Sequence, residues 1–417
     1  TSFTMGGNSS KFRTCTWNIA AVNNNPFEYW TTYDDPSYKK LMDELEALIA
    51  NPGDFDVPIE EVFPTELFNE LAAAMREQGW EHVDAVEQIW DDQYKSLNII
   101  SGFLKAKDIG SKRLISMPDR FTNTVNAVGE NGGIAHCRPT VINNFTEETR
   151  SVAQWWPLWK RFMFETPIMV CVKKSLSLLK PCEMLSKISR KKYPALTEDE
   201  EEISIPLQTL ALALFDAILI HILNLLSPDG NWLTMKRRLC DALFVNKQKR
   251  TLDILMTEDY SSCDVLFLQE VAANFVQLAE DSPLSKTHAI IAPANLDGKR
   301  DQNSVIILKK NTFKNHAACR EVTSEVMEFI PDGTGLMDGD LIVLSIPLGS
   351  KDYVLASFHG DTNGIQTIPV MEAVEQYATL KGLHPLFGCD ANATKKKETN
   401  KLYFADFVEA YTSKGLV

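Results

Sequence analysis

The apolar positions of this chain follow two different patterns, and the change from one to the other divides it. Toward the C-terminus, short unbroken apolar runs predict strands: "CDVLFLQ" (Cys263–Gln269), "THAIIAPA", "NSVIILKK", "DLIVLSIPL" and "DYVLASFH". The last two are joined by a turn at Gly349-Ser350-Lys351-Asp352. Among these runs, "VAANFVQLAED" (Val271–Asp281) and "IPVMEAVEQYATLKG" carry helical spacing, the second ending at Gly382. "HPLFGCD" is again a strand, and "FRTCTWNIA" near the N-terminus is another. Hairpins mixed with packed helices predict a layered α/β sandwich.

Residues 26–245 read differently, as mostly helix and loop. "YKKLMDELEALIAN", "PTELFNELAAAMREQGW", "VAQWWPLWKRFMFETPIMVCVKKSLSLLK" and "NWLTMKRRLCDALFV" are the clearest segments. The acidic run "LTEDEEEIS" (Leu196–Ser204) reads as a solvated loop or helix start. Ile203 to Ser227 is long and apolar enough to span a bilayer. Gln208, Asp216, His221 and Asn224 are scattered around it, which predicts a buried helix instead. The expected organisation is a leader and first strand in residues 1–25, a helical insertion in 26–245, and the rest of the α/β domain in 246–417.

Composition narrows the chemistry. The apolar fraction of 44% supports a sizeable core, and a net charge of −14 argues against wrapping nucleic acid through bulk electrostatics. The eight cysteines form no C-x-x-C and the seven histidines no zinc spacing, so the thiols read as reduced.

The polar candidates cluster where strands end. Asn18 ends one, Gln269-Glu270 a second, the stretch His359-Gly360-Asp361-Thr362-Asn363-Gly364 a third, and Asp390 with Asn392 a fourth. Singly, each has a structural explanation: a surface charge, a structural histidine, an Asx turn. Four such ends together describe a sheet projecting polar side chains into one cleft.

The ordered motifs Trp17-Asn18-Ile19, Phe267-Leu268-Gln269-Glu270, Ser357-Phe358-His359 and Gly388-Cys389-Asp390-Ala391-Asn392 resemble the signature of the endonuclease/exonuclease/phosphatase superfamily of DNase I-like phosphoesterases. The resemblance covers Phe12 to about Val22 and about Thr251 to Val417. It implies a four-layer α/β/β/α sandwich interrupted by the insertion, and hydrolysis of a phosphoester assisted by Mg²⁺ or Mn²⁺. In that family's terms Glu270 would ligate the metal and Asn18 would orient it. His359 would bond the scissile phosphate or protonate the leaving group, Asp390 would hold the attacking water, and Asn392 would steady the phosphorane. Asn363, and Asn303 in Asp301-Gln302-Asn303-Ser304, are the candidate substrate-binding residues. The 5-phosphatases carry Asn-Lys-Gly where this chain has Asp301-Gln302-Asn303-Ser304. Lys299-Arg300 and Lys395-Lys396-Lys397 flank the expected cleft. The implied substrates are a phosphorylated small molecule, a lipid headgroup or a nucleic acid.

Family members close with an S-D-H motif, and no Asp-His pair occurs here. The expectation is a native chain that continues past Val417 with that motif. The alternative is a catalytically silent domain acting as a binding or scaffold module, with the helical insertion as the surface for a protein partner. At the other end, Met5-Gly6-Gly7-Asn8-Ser9-Ser10 matches the N-myristoylation pattern M-G-x-x-x-[ST], with residues 1–4 read as vector-derived. Gly6 is then the lipidation site, and the expected location is cytoplasmic with peripheral, reversible membrane association.

Overall fold

The structure, a computed structural model, describes residues 12–20, 27, 34–112, 114, 124–127, 134–172, 175–245, 247–296, 301–348 and 351–412. The chain divides into two compact units, Thr1–Asn23 with Asn246–Val417, and Asn24–Val245. Among the described residues the strands are β1 (Thr14–Asn18), β2 (Thr124–Ala127), β3 (Ile134–Cys137), β4 (Ile168–Val172), β5 (Ser175–Leu179), β6 (Val265–Val271), β7 (His288–Ile291), β8 (Asn303–Lys309), β9 (Arg320–Glu321), β10 (Leu341–Leu348), β11 (Lys351–His359) and β12 (His384–Asp390).

The discontinuous unit is a mixed α/β body with two four-stranded sheets, ordered β1-β6-β8-β7 and β12-β11-β10-β9. β1 pairs parallel with β6, so that Asn18 lies opposite Gln269. β11 pairs parallel with β12, which sets His359 opposite Asp390. The unbroken apolar runs follow from burial on both faces. Along β6, Val265 and Phe267 enter a cluster with Ile306 and Leu308 of β8, Ile342 and Leu344 of β10 and Leu355 of β11. The alternate residues Leu266 and Leu268 pack instead with Phe275, Val276 and Ala279 of the helix Ala273–Glu280. In the second sheet, Val343, Val354, Ala356 and Phe358 meet Val370, Ala373, Val374, Tyr377 and Ala378 of the helix Thr367–Lys381. That helix presents the three-and-four spacing its sequence predicts, and it ends at Gly382 with φ 68°. Each fully buried aliphatic or aromatic side chain in these clusters contributes about 1.5–3 kcal/mol.

A polar strap ties the two sheets beside this apolar cluster. Gln269 is buried, and its Nε2 donates to Ser357 Oγ at 3.0 Å and to the Gly388 carbonyl at 3.4 Å. Ser357 Oγ donates in turn to the Leu268 carbonyl at 3.1 Å. Gly388 has a steric reason for its identity: a Cβ there would stand 2.3 Å from the Phe267 side chain and push the sheets apart.

The unit Asn24–Val245 is built around the helix Ser204–Leu226. By length and mean hydropathy (2.1) this helix could cross a membrane, yet most of it is buried within its own unit. Its Asp216 accepts from Arg138 Nε at 2.6 Å and Trp159 Nε1 at 2.9 Å, all three fully buried. The helices Pro36–Ala50, Thr65–Glu77, Val152–Phe164 and Asn231–Cys240 form around it as their patterns predict. One expectation is corrected. The stretch after Phe164, read as helix, instead forms the hairpin β4–β5, and β2–β3 is a second hairpin. The switch is visible in period: Ile168 and Val170 are buried while Met169 and Cys171 are exposed, an alternation of two with β-branched residues inside.

Candidate functional site

Asn18, Glu270, His359, Asp390 and Asn392, expected from four separate strand ends, converge. The pairing brings them together: β1 ends beside β6, β11 ends beside β12, and the clusters above hold the two sheets against each other. Asn18 Nδ2 donates both to Glu270 Oε1 at 2.9 Å and to Asp390 Oδ2 at 2.8 Å. Its Oδ1 accepts from the Ala20 amide at 2.8 Å, which fixes the orientation of the side chain.

Glu270 reaches this point through a bulge. By simple alternation it would follow Leu266 and Leu268 toward the helix. The β6–β8 register shifts between Leu268 and Val271, and Glu270 takes a left-handed φ of 53°. A non-glycine residue in that region carries strain of order 1–3 kcal/mol, offset by its surroundings. Here the offset comes from polar contacts: Glu270 Oε1 meets Asn18 and, at 3.3 Å, His359 Nε2, while Oε2 accepts from Gln302 Nε2 at 3.2 Å.

Asn392 also has a left-handed φ, 48°, which asparagine tolerates better than most residues. Its backbone N–H donates to Asp390 Oδ1 at 3.1 Å, and its Nδ2 donates to the Asp361 carbonyl at 3.2 Å. The same Nδ2 lies 3.3 Å from His359 Nε2. One ring nitrogen cannot serve both neighbours: protonated it donates to Glu270, unprotonated it accepts from Asn392. His359 is thus placed to hold or release a proton at Nε2.

Next to these residues Cys389 adds no charge. Burial, and secondarily Asp390, push its thiol up to about 12. All eight cysteines are free thiols. Among the described residues no lysine or arginine forms an ion pair with Glu270 or Asp390, and no group of three or more His, Cys, Asp and Glu encloses a metal. The oxygen donors at this point are the carboxylates of Glu270 and Asp390, hard ligands of the kind Mg²⁺ takes in small number, while Asn18 turns Nδ2 and not Oδ1 toward them.

The other expected residues lie elsewhere or do other work. Asn303 is buried at the start of β8, and its Nδ2 donates to the Val271 carbonyl at 3.0 Å. Gly339 packs so closely against it that a Cβ would stand 2.5 Å from Asn303 Oδ1. That environment is structural. Asn363 sits in the loop after β11: its N–H donates to Asp361 Oδ2 at 3.0 Å and its carbonyl accepts from the Leu402 amide at 2.7 Å. Lys397 is exposed and pairs with Asp406 at 3.6 Å. Gly6, Lys299 and Arg300 lie outside the described residues.

Two residues at the site were not anticipated. Gln302 holds Glu270 because β8 runs antiparallel to β6, so the start of one lies beside the end of the other. Lys247 opens the helix Lys247–Leu255 and is half-buried close to Glu270. Burial brings its ammonium down to about 8, while Glu270 acts in the opposite sense. An antiparallel pairing of β6 with β8 points to Gln302; nothing local in the sequence marks Lys247.

A family model described as a domain of unknown function, DUF8234, matches residues 56–237, all within the unit Asn24–Val245. No curated protein matches the chain. Among solved structures, a humanized D. rerio TDP2 is 15% identical at a TM-score of 0.26, the match covering 39% of this chain and 69% of that one. The endonuclease domain of TRAS1, a telomere-specific non-LTR retrotransposon, is 12% identical at a TM-score of 0.25, with coverage of 40% and 64%. ANGEL2, a 2',3'-cyclic phosphatase, is 18% identical at a TM-score of 0.24, with coverage of 36% and 43%.

Proposed function

We propose that the α/β unit is a hydrolase of phosphoester or phosphodiester bonds, assisted by a divalent metal ion. On this reading its two sheets and their outer helices form a four-layer α/β/β/α sandwich of the DNase I-like kind. The observation that carries the proposal is the bridge from Asn18 Nδ2 to both Glu270 and Asp390, with His359 Nε2 meeting the same Glu270 oxygen as Asn18. Carboxylates from two sheets held together beside a histidine bring within reach the parts phosphoryl transfer to water uses: ligands for a Lewis acid, a group to position water, and a proton donor.

In the proposed mechanism Glu270 would hold the Mg²⁺, with Asn18 and Gln302 keeping its carboxylate in place. The ion supplies positive charge to the phosphate oxygens when bound. Asp390 orients the attacking water and draws on its proton as the oxygen–phosphorus bond forms. Asn392 Nδ2 donates toward the equatorial oxygens as negative charge builds there. His359 gives the proton on Nε2 to the departing oxygen as the ester bond breaks. The leaving group departs as an alcohol; a diester leaves a phosphomonoester and a monoester leaves phosphate, and release of that product to solvent lets Asp390 lose its proton and His359 regain one.

The test is hydrolysis of bis-p-nitrophenyl phosphate with millimolar Mg²⁺ and with EDTA. Release of nitrophenolate that depends on Mg²⁺ and disappears in Glu270→Gln supports the proposal. Equal rates in Mg²⁺ and EDTA, or no release by folded wild-type protein, would sink it.

A further inference from the structure

We infer that Lys247 is a binding residue for the anionic phosphate of the substrate, contributed by the first helix of the chain after the inserted unit. The inference deepens the hydrolase reading and rests on it. It begins with position. Lys247 lines a narrow notch with Ile19, Thr251, Ala272 and Phe275. Ile19 directly follows Asn18, and Ala272 lies two residues beyond Glu270. Lys247 therefore lies beside the ends of β1 and β6, the strands that carry Asn18 and Glu270.

The second step is charge balance. Among the described residues, the Lys247 ammonium has no hydrogen-bond or ion-pair partner. Glu270 lies near enough to favour the charged amine, but no ion pair within 4 Å joins them. Removing an ammonium from water without a partner is costly, and burial accordingly lowers its affinity for the proton. Lys309 and Lys310, also half-buried in this unit, meet the same problem with carbonyl partners: Lys309 donates to the Ser262 carbonyl and Lys310 to the Ser285 carbonyl. Lys247 is half-buried like Lys309 and Lys310 but lacks such a carbonyl partner among the described residues, and Glu270 is the charged group whose field it feels.

The third step is chemical complementarity. A site with Glu270 and Asp390 repels an anionic substrate unless cations offset them. A metal ion supplies part of that offset when bound, and a lysine on the helix beside Glu270 supplies more from the protein itself. A compact ammonium with three rotatable donors suits a phosphate oxygen without demanding a fixed bidentate geometry. The substrate class this favours is one with a dianionic or monoanionic phosphate open on the side of β1, such as a phosphomonoester or a terminal phosphodiester.

The test measures inorganic phosphate binding by calorimetry in Mg²⁺, alongside turnover of bis-p-nitrophenyl phosphate, for wild type, Lys247→Met and Lys247→Arg. The expected result is phosphate binding weakened about tenfold or more in Lys247→Met, the scale of one charge-assisted hydrogen bond. Lys247→Arg should stay within about threefold of wild type, and KM should rise more than kcat falls in Lys247→Met. Should Lys247→Met fold poorly, acylation of wild-type lysines read by mass spectrometry answers the same question: phosphate should protect Lys247 and leave Lys309 unprotected. Unchanged phosphate affinity in a folded, active Lys247→Met protein overturns the inference and leaves hydrolysis standing. A wild type that binds phosphate through Lys247 without turning over the ester overturns hydrolysis and supports the inference. A wild type that binds no phosphate overturns the inference.

Discussion

Asn18 and Asp390 are joined by a 2.8 Å hydrogen bond across 372 positions of sequence. The donor is the same Nδ2 that reaches Glu270, so one neutral amide separates two carboxylates. Asn18→Asp replaces that donor with a third carboxylate of nearly the same shape. Like charges at this distance raise the carboxyl affinity for protons in the folded state above its unfolded value. The destabilisation is therefore absent at low pH and grows as pH rises past the ordinary carboxylate range. Thermal melting should place Asn18→Asp below wild type by about 1–3 kcal/mol at pH 8, with the gap narrowing toward pH 5 and on adding Mg²⁺. A gap insensitive to both pH and Mg²⁺ would show that the three residues do not share one electrostatic site.

His359 and Asp390 are expected to act on the reaction and not on folding. Both are partly exposed at strand ends, outside the apolar clusters. Either His359→Ala or Asp390→Ala should lower kcat by at least about 10²-fold, the usual scale for one acid–base or electrostatic group. Circular dichroism melts should stay close to wild type. Turnover within a few-fold of wild type in both variants removes these residues from the mechanism.

The parts of this site that the sequence makes legible are those fixed by pattern. The middles of β6, β8, β10 and β11 are rich in apolar residues because both of their faces are buried there, and a strand that ends in Asn, Glu, His or Asp announces where its polar end lies. The aim of Glu270 is not legible, because it depends on a register shift between β6 and β8. Asn303 is expected among the substrate-binding residues, yet it is buried, with Gly339 packed closely against it. The β4–β5 hairpin is hidden for another reason: its strands follow a tryptophan-rich helix, and the apolar content continues smoothly while only the period changes. Lys247 depends on the packing of a helix against β1 and β6, which no local motif encodes.

Within the unit Asn24–Val245, Asp216 anchors a fully buried network with Arg138 and Trp159. Leaving Arg138 without its carboxylate strands a buried charge, and such losses cost about 3–5 kcal/mol. Asp216→Ala should therefore destabilise this unit severely in urea denaturation of the full chain. The double variant Arg138→Met with Asp216→Leu should recover most of that loss, because apolar replacement of both partners is often neutral. A double variant no more stable than Asp216→Ala would place the energy in the indole and backbone contacts of the network and not in the ion pair.

Lys236 makes the stability of the same unit depend on alkaline pH. It is fully buried on the helix Asn231–Cys240, and its Nζ donates to the Thr140 carbonyl at 2.5 Å. Burial brings its ammonium down to about 7, against the weaker opposing pull of Cys240, Cys137 and Asp216. An unfolded lysine titrates near 10.4. Between these two values the unfolded chain holds a proton that the folded one has lost, so in this window folding stability rises with pH. Lys236→Met carries no such proton. The stability difference between wild type and Lys236→Met should therefore shift in favour of wild type as pH moves from 7 to 10, whatever constant cost the lost hydrogen bond adds. The Cys240 thiol, which burial pushes up to about 11, opposes this trend in each protein separately but is present in both, so the comparison largely cancels it. Chemical denaturation of both proteins at pH 7 and pH 9.5 decides the matter: a difference that stays constant between the two pH values means that Lys236 keeps its proton in the folded state.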